Sequence, residues 1–305
     1  LHVGGFRRVF MAKRVTVRVP TRIDLAGGWT DVPAYCRGSV GHVVNMAINR
    51  YITAEMVVDD QRLCSVSYST DMPIGSGLGT SGAMNVALLA AIAGHNRSSL
   101  ELAELAFQFE GLMGNTGGRQ DQWASANGGI QYLQFQGDEV RVEQLTPSPS
   151  FTQWIEAHMM LFDSGIQHVS GELHEDVWQR FERGDAAVTD ALHHLAQAGE
   201  HMKTALQNES RSEFVNALRM VMAGVDGLGG HVHEPFRRPL AALEHSGDVL
   251  AWKAMGAGGG GVVGVFINDL HAQSAVRATL LNDGWTELKW ELESEGIQRT
   301  VSPHE

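Results

Sequence analysis

The chain has 305 residues, enough to bury a large core as one large or two moderate domains. Its 23 Lys plus Arg against 35 Asp plus Glu give a net charge of -12, which opposes contact with a nucleic-acid backbone and restricts anion binding to local sites. The two cysteines, Cys36 and Cys64, supply no disulfide framework, no apolar run is long enough for a membrane span, and residues 1–10 lack the apolar core of a signal peptide. A cytoplasmic protein with an upstream extension before Met11 is expected.

Alternating valines mark a strand over Arg14–Val19, and β-branched residues mark a second over Tyr51–Val58, with a glycine-rich turn between them. A third extended run ends at Thr70. Glycines at 75, 77, 79 and 82 then lead into a helix over Ala83–Ala93, rich in Ala, Leu and Met. Ser98 and Glu101 form a capping-box pair that opens a helix to about Met113. Gly128 and Gly129 precede a strand over Ile130–Phe135, and the stretch Thr146–Ser150 has the composition of a connector. Domains are therefore expected at 11–150 and 151–305. Helices follow at about 172–183, 185–207 and 211–224, then a glycine run at 256–261, a strand over Val262–Ile267, a helix over Arg277–Asn282 and an extended Leu288–Leu292. The mixture predicts an α+β fold in both halves.

The loop Pro73–Gly82 carries the clearest chemistry. Its glycines allow close backbone approach to a ligand, and the helix after it adds a positive N-terminal end, a combination suited to a di- or triphosphate. An ordinary glycine-rich turn is the plainer reading. No Gly-Lys dipeptide occurs, so there is no Walker-type loop, and Asp71-Met72-Pro73 interrupts the strand-to-glycine junction that a dinucleotide fold requires. His231, His233, His193 and His194 form no zinc-binding spacing and are expected to be structural or solvated.

The segment Pro73–Ala83 resembles the Pro-x-x-x-Gly-Leu-x-Ser-Ser-Ala phosphate loop of GHMP kinases. Arg18–Asp31 is similar to the N-terminal sugar-site motif of that family and Lys253–Gly261 to its C-terminal glycine motif, in the same order along the chain. The resemblance implies an N-terminal domain like ribosomal protein S5 domain 2, a ferredoxin-like C-terminal domain, and an active site between them. It also implies ATP and Mg²⁺ as cofactors and a sugar or sugar phosphate as the acceptor.

Position by position, the resemblance makes Asp121 the catalytic carboxylate and Arg22 the arginine beside it. A carboxylate can take the acceptor hydroxyl's proton while a guanidinium compensates its charge. Pro73, Gly75, Ser76, Gly77, Leu78, Gly79, Thr80, Ser81 and Gly82 would hold the nucleotide. Ser81, with Thr80 as the adjacent alternative, and Glu110 would supply hard oxygens to Mg²⁺. Gly28, Trp29, Thr30 and Asp31, with Gly258 and Gly259, would meet the substrate. Gly118–Gln122 is similar to the corresponding segment of D-glycero-D-manno-heptose 7-phosphate kinases, whereas Gly27–Asp31 looks more like fucokinases. Three departures stand out: Trp29 for a third glycine, Gly82 for an alanine, and His168 near the place of an arginine that Arg37 or Arg119 would have to replace. A non-catalytic sugar sensor and a nucleotide-dependent oxidoreductase are the rival classes.

Overall fold

A computed structural model of the protein describes residues 13–304 except 60, 74, 115, 116, 167–169 and 257. The chain begins with β1 (Lys13–Ala26), in which Val15, Val17 and Val19 point to one buried face as their alternation predicts. A single turn, α1 (Pro33–Cys36), leads to the long β2 (Gly41–Val58), which starts ten residues before the expected strand, and to β3 (Cys64–Thr70). Then come α2 (Thr80–Ala93), α3 (Ser99–Leu112), α4 (Gln120–Asn127), β4 (Ile130–Gln136) and β5 (Glu139–Leu145). Ser98 makes both bonds of the expected capping box on α3.

The second half opens with α5 (Pro149–His158), whose first turn is set by Pro149 and the Ser148 cap, so the expected connector is already partly helical. It continues through β6 (Met159–Asp163), α6 (Ser170–Glu182), α7 (Ala186–Gln207), α8 (Arg211–Leu228) and α9 (Glu234–Ser246). The last elements are β7 (Val249–Ala254), β8 (Val262–Ile267), α10 (Ala272–Asn282), β9 (Thr286–Leu288) and β10 (Gln298–Pro303). The extended run expected to Leu292 stops as a strand at Leu288, because the chain leaves β6 there and turns back to the first sheet, where Leu292 bridges Ile48.

Among the described residues the first sheet has the order β10-β1-β2-β4-β5, with β3 pairing the far half of β2. The second has the order β7-β8-β6-β9, the strand order of a ferredoxin-like fold. Every strand pair is antiparallel, which removes the doubly wound parallel sheet of the oxidoreductase reading. The chain changes sheet between β5 and β6, and β10 returns to pair with β1.

The layers follow from which faces are apolar. Ala83, Ala87 and Ala90 of α2 lie directly on the Val15–Val19 face, where small side chains let helix and sheet approach closely. The opposite face of that sheet, through Ile23, Val44 and Met46, packs on α7 and α8, which separate it from the second sheet. Phe236, Leu240 and Leu280 of α9 and α10 cover the outer face of that second sheet. The site lies where the edges of these layers meet.

Candidate active site

The glycine loop is built as a cradle. Gly75, Gly77 and Gly79 hold φ near 79°, 77° and 79°, left-handed values that glycine adopts freely. The neighbours of Gly77 and Gly79 also crowd out a side chain, whereas Gly75 faces open space. A Cβ on Gly77 would lie 2.3 Å from the Met255 carbonyl oxygen, and one on Gly79 would lie 3.1 Å from Cγ of Asp121. Both halves of the protein hold the loop: Arg22 N donates to Leu78 O at 3.0 Å, and Val262 N donates to Ser76 O at 2.9 Å. Gly79 is the N-cap of α2, so the unpaired N–H groups of that helix's first turn open toward a cavity of about 240 Å³.

Arg22 and Asp121 meet at the edge of this cradle. The β1 ladder shifts register between Pro20 and Thr21, where proline cannot donate, and Arg22 follows directly. Its Nε donates to Oδ1 of Asp121 at 2.8 Å, Nη2 approaches the same oxygen at 2.6 Å, and Nη1 donates to the Gly77 carbonyl at 2.7 Å. Asp121 is the second residue of α4, in a helical first turn that favours a carboxylate, rather than in a surface loop. Gly82 lies against it: a Cβ there would sit 2.7 Å from that of Asp121. The glycine in place of alanine therefore makes room for α4.

Glu110, near the end of α3, accepts from Ser81 Oγ at 2.6 Å and from the Gln122 side-chain amide. Burial pushes its carboxyl above the usual range, the Ser81 bond opposes this, and the Asp121 charge adds to it. Asp31 is also buried; it accepts from Gln120 N at 3.0 Å, and burial raises it to about 6, with the charges of Asp121 and Asp24 contributing. Asp24 is paired with Lys253, whose Nζ also donates to the Asp24 carbonyl at 3.1 Å. Burial lowers the Lys253 ammonium and the Asp24 charge holds it up.

The cavity wall brings together Arg22, Asp121, Glu110, Asp31, Trp29 and, from the loop, Gly75, Gly77, Gly79, Thr80 and Ser81. Pro73, Ser76 and Leu78 of the loop and Gly82 of α2 lie outside that lining. Ser76 and Leu78 are buried braces, Ser76 Oγ accepting from Leu78 N at 3.4 Å. Gly28 packs on Asp24, and Thr30 bonds Gly27 O at 2.7 Å and His42 N at 3.1 Å, so both support the wall from behind. Gly258 and Gly259 also stand back from it, against Val232: Gly259 N donates to Val232 O at 2.9 Å, and Gly256 is the glycine of that run on the cavity. Arg119 is committed elsewhere, buried against Glu104 at 2.8 Å and two carbonyls, and Arg37 is exposed outside the lining. His168 and residues 1–10 lie outside the described residues.

Reading the sequence missed Asp24, Lys253 and His174. The first two stand inside quoted motifs, but their pairing spans 229 positions. His174 lies in no motif. His233 is structural as expected, bonded to Asp226 at 2.9 Å against Trp252.

Four carboxylates line the cavity, with Arg22 as their companion cation. The arrangement can bind polyol hydroxyls and would welcome a cation. Ser81 and Glu110 offer two hard oxygens 2.6 Å apart, close to the ~2.9 Å that adjacent ligands of an octahedral Mg²⁺ span. No cluster of three or more His, Cys, Asp or Glu among the described residues could hold a metal alone, so the remaining ligands would be phosphate and water oxygens. No described helix is long and apolar enough to cross a membrane.

The chain is similar to known kinases in sequence and in fold. Residues 43–129 match the family described as the GHMP kinases N terminal domain. The chain is 24% identical over 326 residues to the D-glycero-alpha-D-manno-heptose 7-phosphate kinase of Campylobacter jejuni, covering 90% of this chain and 96% of that one. It is 23% identical over 340 residues to the bifunctional fucokinase/GDP-fucose pyrophosphorylase of Arabidopsis thaliana, covering 92% of this chain but 32% of the relative. Among solved structures, a D-glycero-D-manno-heptose 1-phosphate kinase from Bacteroides thetaiotaomicron superposes with a TM-score of 0.73 at 22% identity over 94% of this chain and 98% of that one. The galactokinase of Lactococcus lactis superposes at 0.72 and 13% identity, covering 93% and 95%. Residues 43–129 therefore match the GHMP kinases N terminal domain, within a chain whose fold is that of these solved kinase structures.

Proposed function

We propose that this protein is a sugar kinase that transfers the γ-phosphoryl group of ATP to the anomeric hydroxyl of D-glycero-D-manno-heptose 7-phosphate. The observation that carries the reading is the Arg22–Asp121 pair at the rim of a left-handed glycine loop. The heptose relative, similar over nearly the full length of both chains, supports the choice of acceptor.

In this mechanism the loop from Gly75 to Ser81 and the α2 N-terminus hold the triphosphate. Asp31 accepts hydrogen bonds from sugar hydroxyls and orients the ring. Asp121 takes the anomeric hydroxyl's proton on a carboxylate oxygen as the hydroxyl's own oxygen bonds to the γ-phosphorus and the bond to ADP breaks. Arg22 holds the carboxylate in place and compensates its charge. Mg²⁺, held by Glu110 and Ser81, would neutralise charge on the phosphates. The two cysteines, buried Cys36 and exposed Cys64, are both free thiols, which supports a reducing, cytoplasmic setting. The test is ATP consumption with heptose 7-phosphate, mannose, galactose and fucose. No ATP consumption with any of them defeats the reading.

Fucose or galactose is the second reading, favoured by Trp29 where heptose enzymes usually carry glycine and by the excess of carboxylates in the cavity. The same screen separates it from the first. A purely sugar-binding sensor would have no use for the Arg22–Asp121 and Ser81–Glu110 pairs.

A further inference from the structure

A row of buried polar residues crosses the first sheet: Asp24 of β1 opposes Asn45 of β2, and Asn45 opposes Gln131 of β4. Cross-strand partners project to one face, here the face covered by α2 and α4, where Val43 and Leu133 of the same strands belong to the apolar core. A polar row in such a place costs stability unless its groups are bonded. The bonds of Asn45 and Gln131 run to α4 and the turn after it. Asn45 Nδ2 donates to Gln120 O at 3.3 Å, at the first residue of the helix. At the far end Gln131 Nε2 donates to Trp123 O at 3.1 Å and to Gly128 O at 3.2 Å, and Asn127 Nδ2 donates to Gln131 Oε1 at 3.1 Å. The short, polar α4 is therefore seated on the sheet by side chains of β2 and β4 as well as by its own Trp123 and Ala126.

Asn45 grips the residue that joins two cavity carboxylates. Gln120 donates its N–H to Oδ2 of Asp31 at 3.0 Å, its carbonyl accepts from Asn45, and Asp121 is the next residue. Asn45 Oδ1 has no partner among the described residues, so this side chain supplies one donor while leaving an acceptor unpaired in the core. Removing the amide loses one hydrogen bond and relieves one orphan, effects of similar size, so the fold has little need of it. Resting on the kinase reading above, we infer that Asn45 is a positioning residue for phosphoryl transfer. It stands outside the cavity lining, and by fixing Gln120 it sets where Asp31, which orients the sugar ring, lies relative to Asp121, which takes the proton.

The experiment uses whichever of heptose 7-phosphate, mannose, galactose and fucose the wild type phosphorylates best. It measures kcat, calorimetric Mg-ATP affinity and Tm in the wild type, Asn45→Leu, Asn45→Ala and Gln131→Leu. Asn45→Leu is expected to lose about tenfold in kcat, the rate equivalent of one hydrogen bond, with Mg-ATP affinity unchanged and Tm near wild type. Asn45→Ala should lose the same in kcat and more in Tm, because it leaves a cavity, and it carries the comparison should the Leu variant not fold. Gln131→Leu, which breaks three bonds at the end of α4 away from Asp121, should lower Tm more than Asn45→Leu and kcat less. Wild-type kcat in a folded Asn45 variant, or a loss of kcat that merely follows Tm across the three variants, overturns the role of Asn45 and leaves the kinase standing. A wild type that phosphorylates none of these sugars defeats the kinase reading and this role with it.

Discussion

Arg22 places two of its nitrogens on one oxygen of Asp121, Oδ1, while its third holds the Gly77 carbonyl of the glycine loop. One guanidinium thus ties the carboxylate proposed as proton acceptor to the glycine cradle. Asp121→Asn, which keeps size but cannot take a proton, should retain Mg-ATP binding by calorimetry and lower kcat by roughly 10²- to 10⁴-fold. A raised KM with intact kcat would make Asp121 a sugar-holding group only. Arg22→Met should also slow turnover, because it leaves the carboxylate uncompensated and frees the loop.

Gly82→Ala introduces a Cβ that falls 2.7 Å from that of Asp121. The change should move α4 and cost about 1–3 kcal/mol through overpacking. Turnover is expected to drop more than ATP affinity, because the loop backbone survives while Asp121 shifts. A fully active alanine variant with wild-type Tm would show that α4 has slack the packing denies.

Glu110→Gln removes a charged oxygen from the pair with Ser81, so the Mg²⁺ concentration needed for half-maximal rate should rise about tenfold or more. Because burial raises the carboxyl, the wild-type enzyme should also lose activity on acidification above the pH at which an ordinary glutamate protonates. Excess Mg²⁺ should push that limb to lower pH. Rate profiles at two Mg²⁺ concentrations measure both effects.

Asp31 is held at about 6 against an ordinary 3.8. The folded protein keeps this proton at pH values where the unfolded chain has released it, so stability declines as pH rises from about 4 to about 6. The decline from this group is on the order of 3 kcal/mol. Denaturation of Asp31→Asn should lack it, and the variant should gain on the wild type across that window while losing sugar binding. A gap that stays constant with pH would refute the assignment.

Lys253→Met leaves Asp24 buried without its cation, between β1 and β7, and should destabilise the protein by about 3–5 kcal/mol. Adding Asp24→Asn should return most of that loss. Denaturant midpoints of the single and double variants decide it.

Much of this site can be read from residue order, because a loop that bends around phosphate must spend glycines locally and a capping box such as Ser98 with Glu101 closes within three residues. The helix that carries Asp121 was harder to see. Gln120–Asn127 is short and polar, and tertiary packing of Trp123 and Ala126 decides its conformation. The role of Gly82 likewise becomes visible only once α4 is laid beside α2. The Asp24–Lys253 pair and the Trp29–His174 stack join distant segments, and no local pattern announces a contact between different sheets or halves.

The return of β10 to β1 bears on how the protein is made. A ribosome releases residues 13–26 long before residues 298–303, so throughout synthesis β1 presents an unpaired row of N–H and C=O groups. The nascent first sheet must wait for almost the whole chain before that border is sealed. Meanwhile it offers a docking rail to chaperones and to stray strands alike, and a chain released after β9 keeps every residue of the glycine cradle but has an adhesive flank.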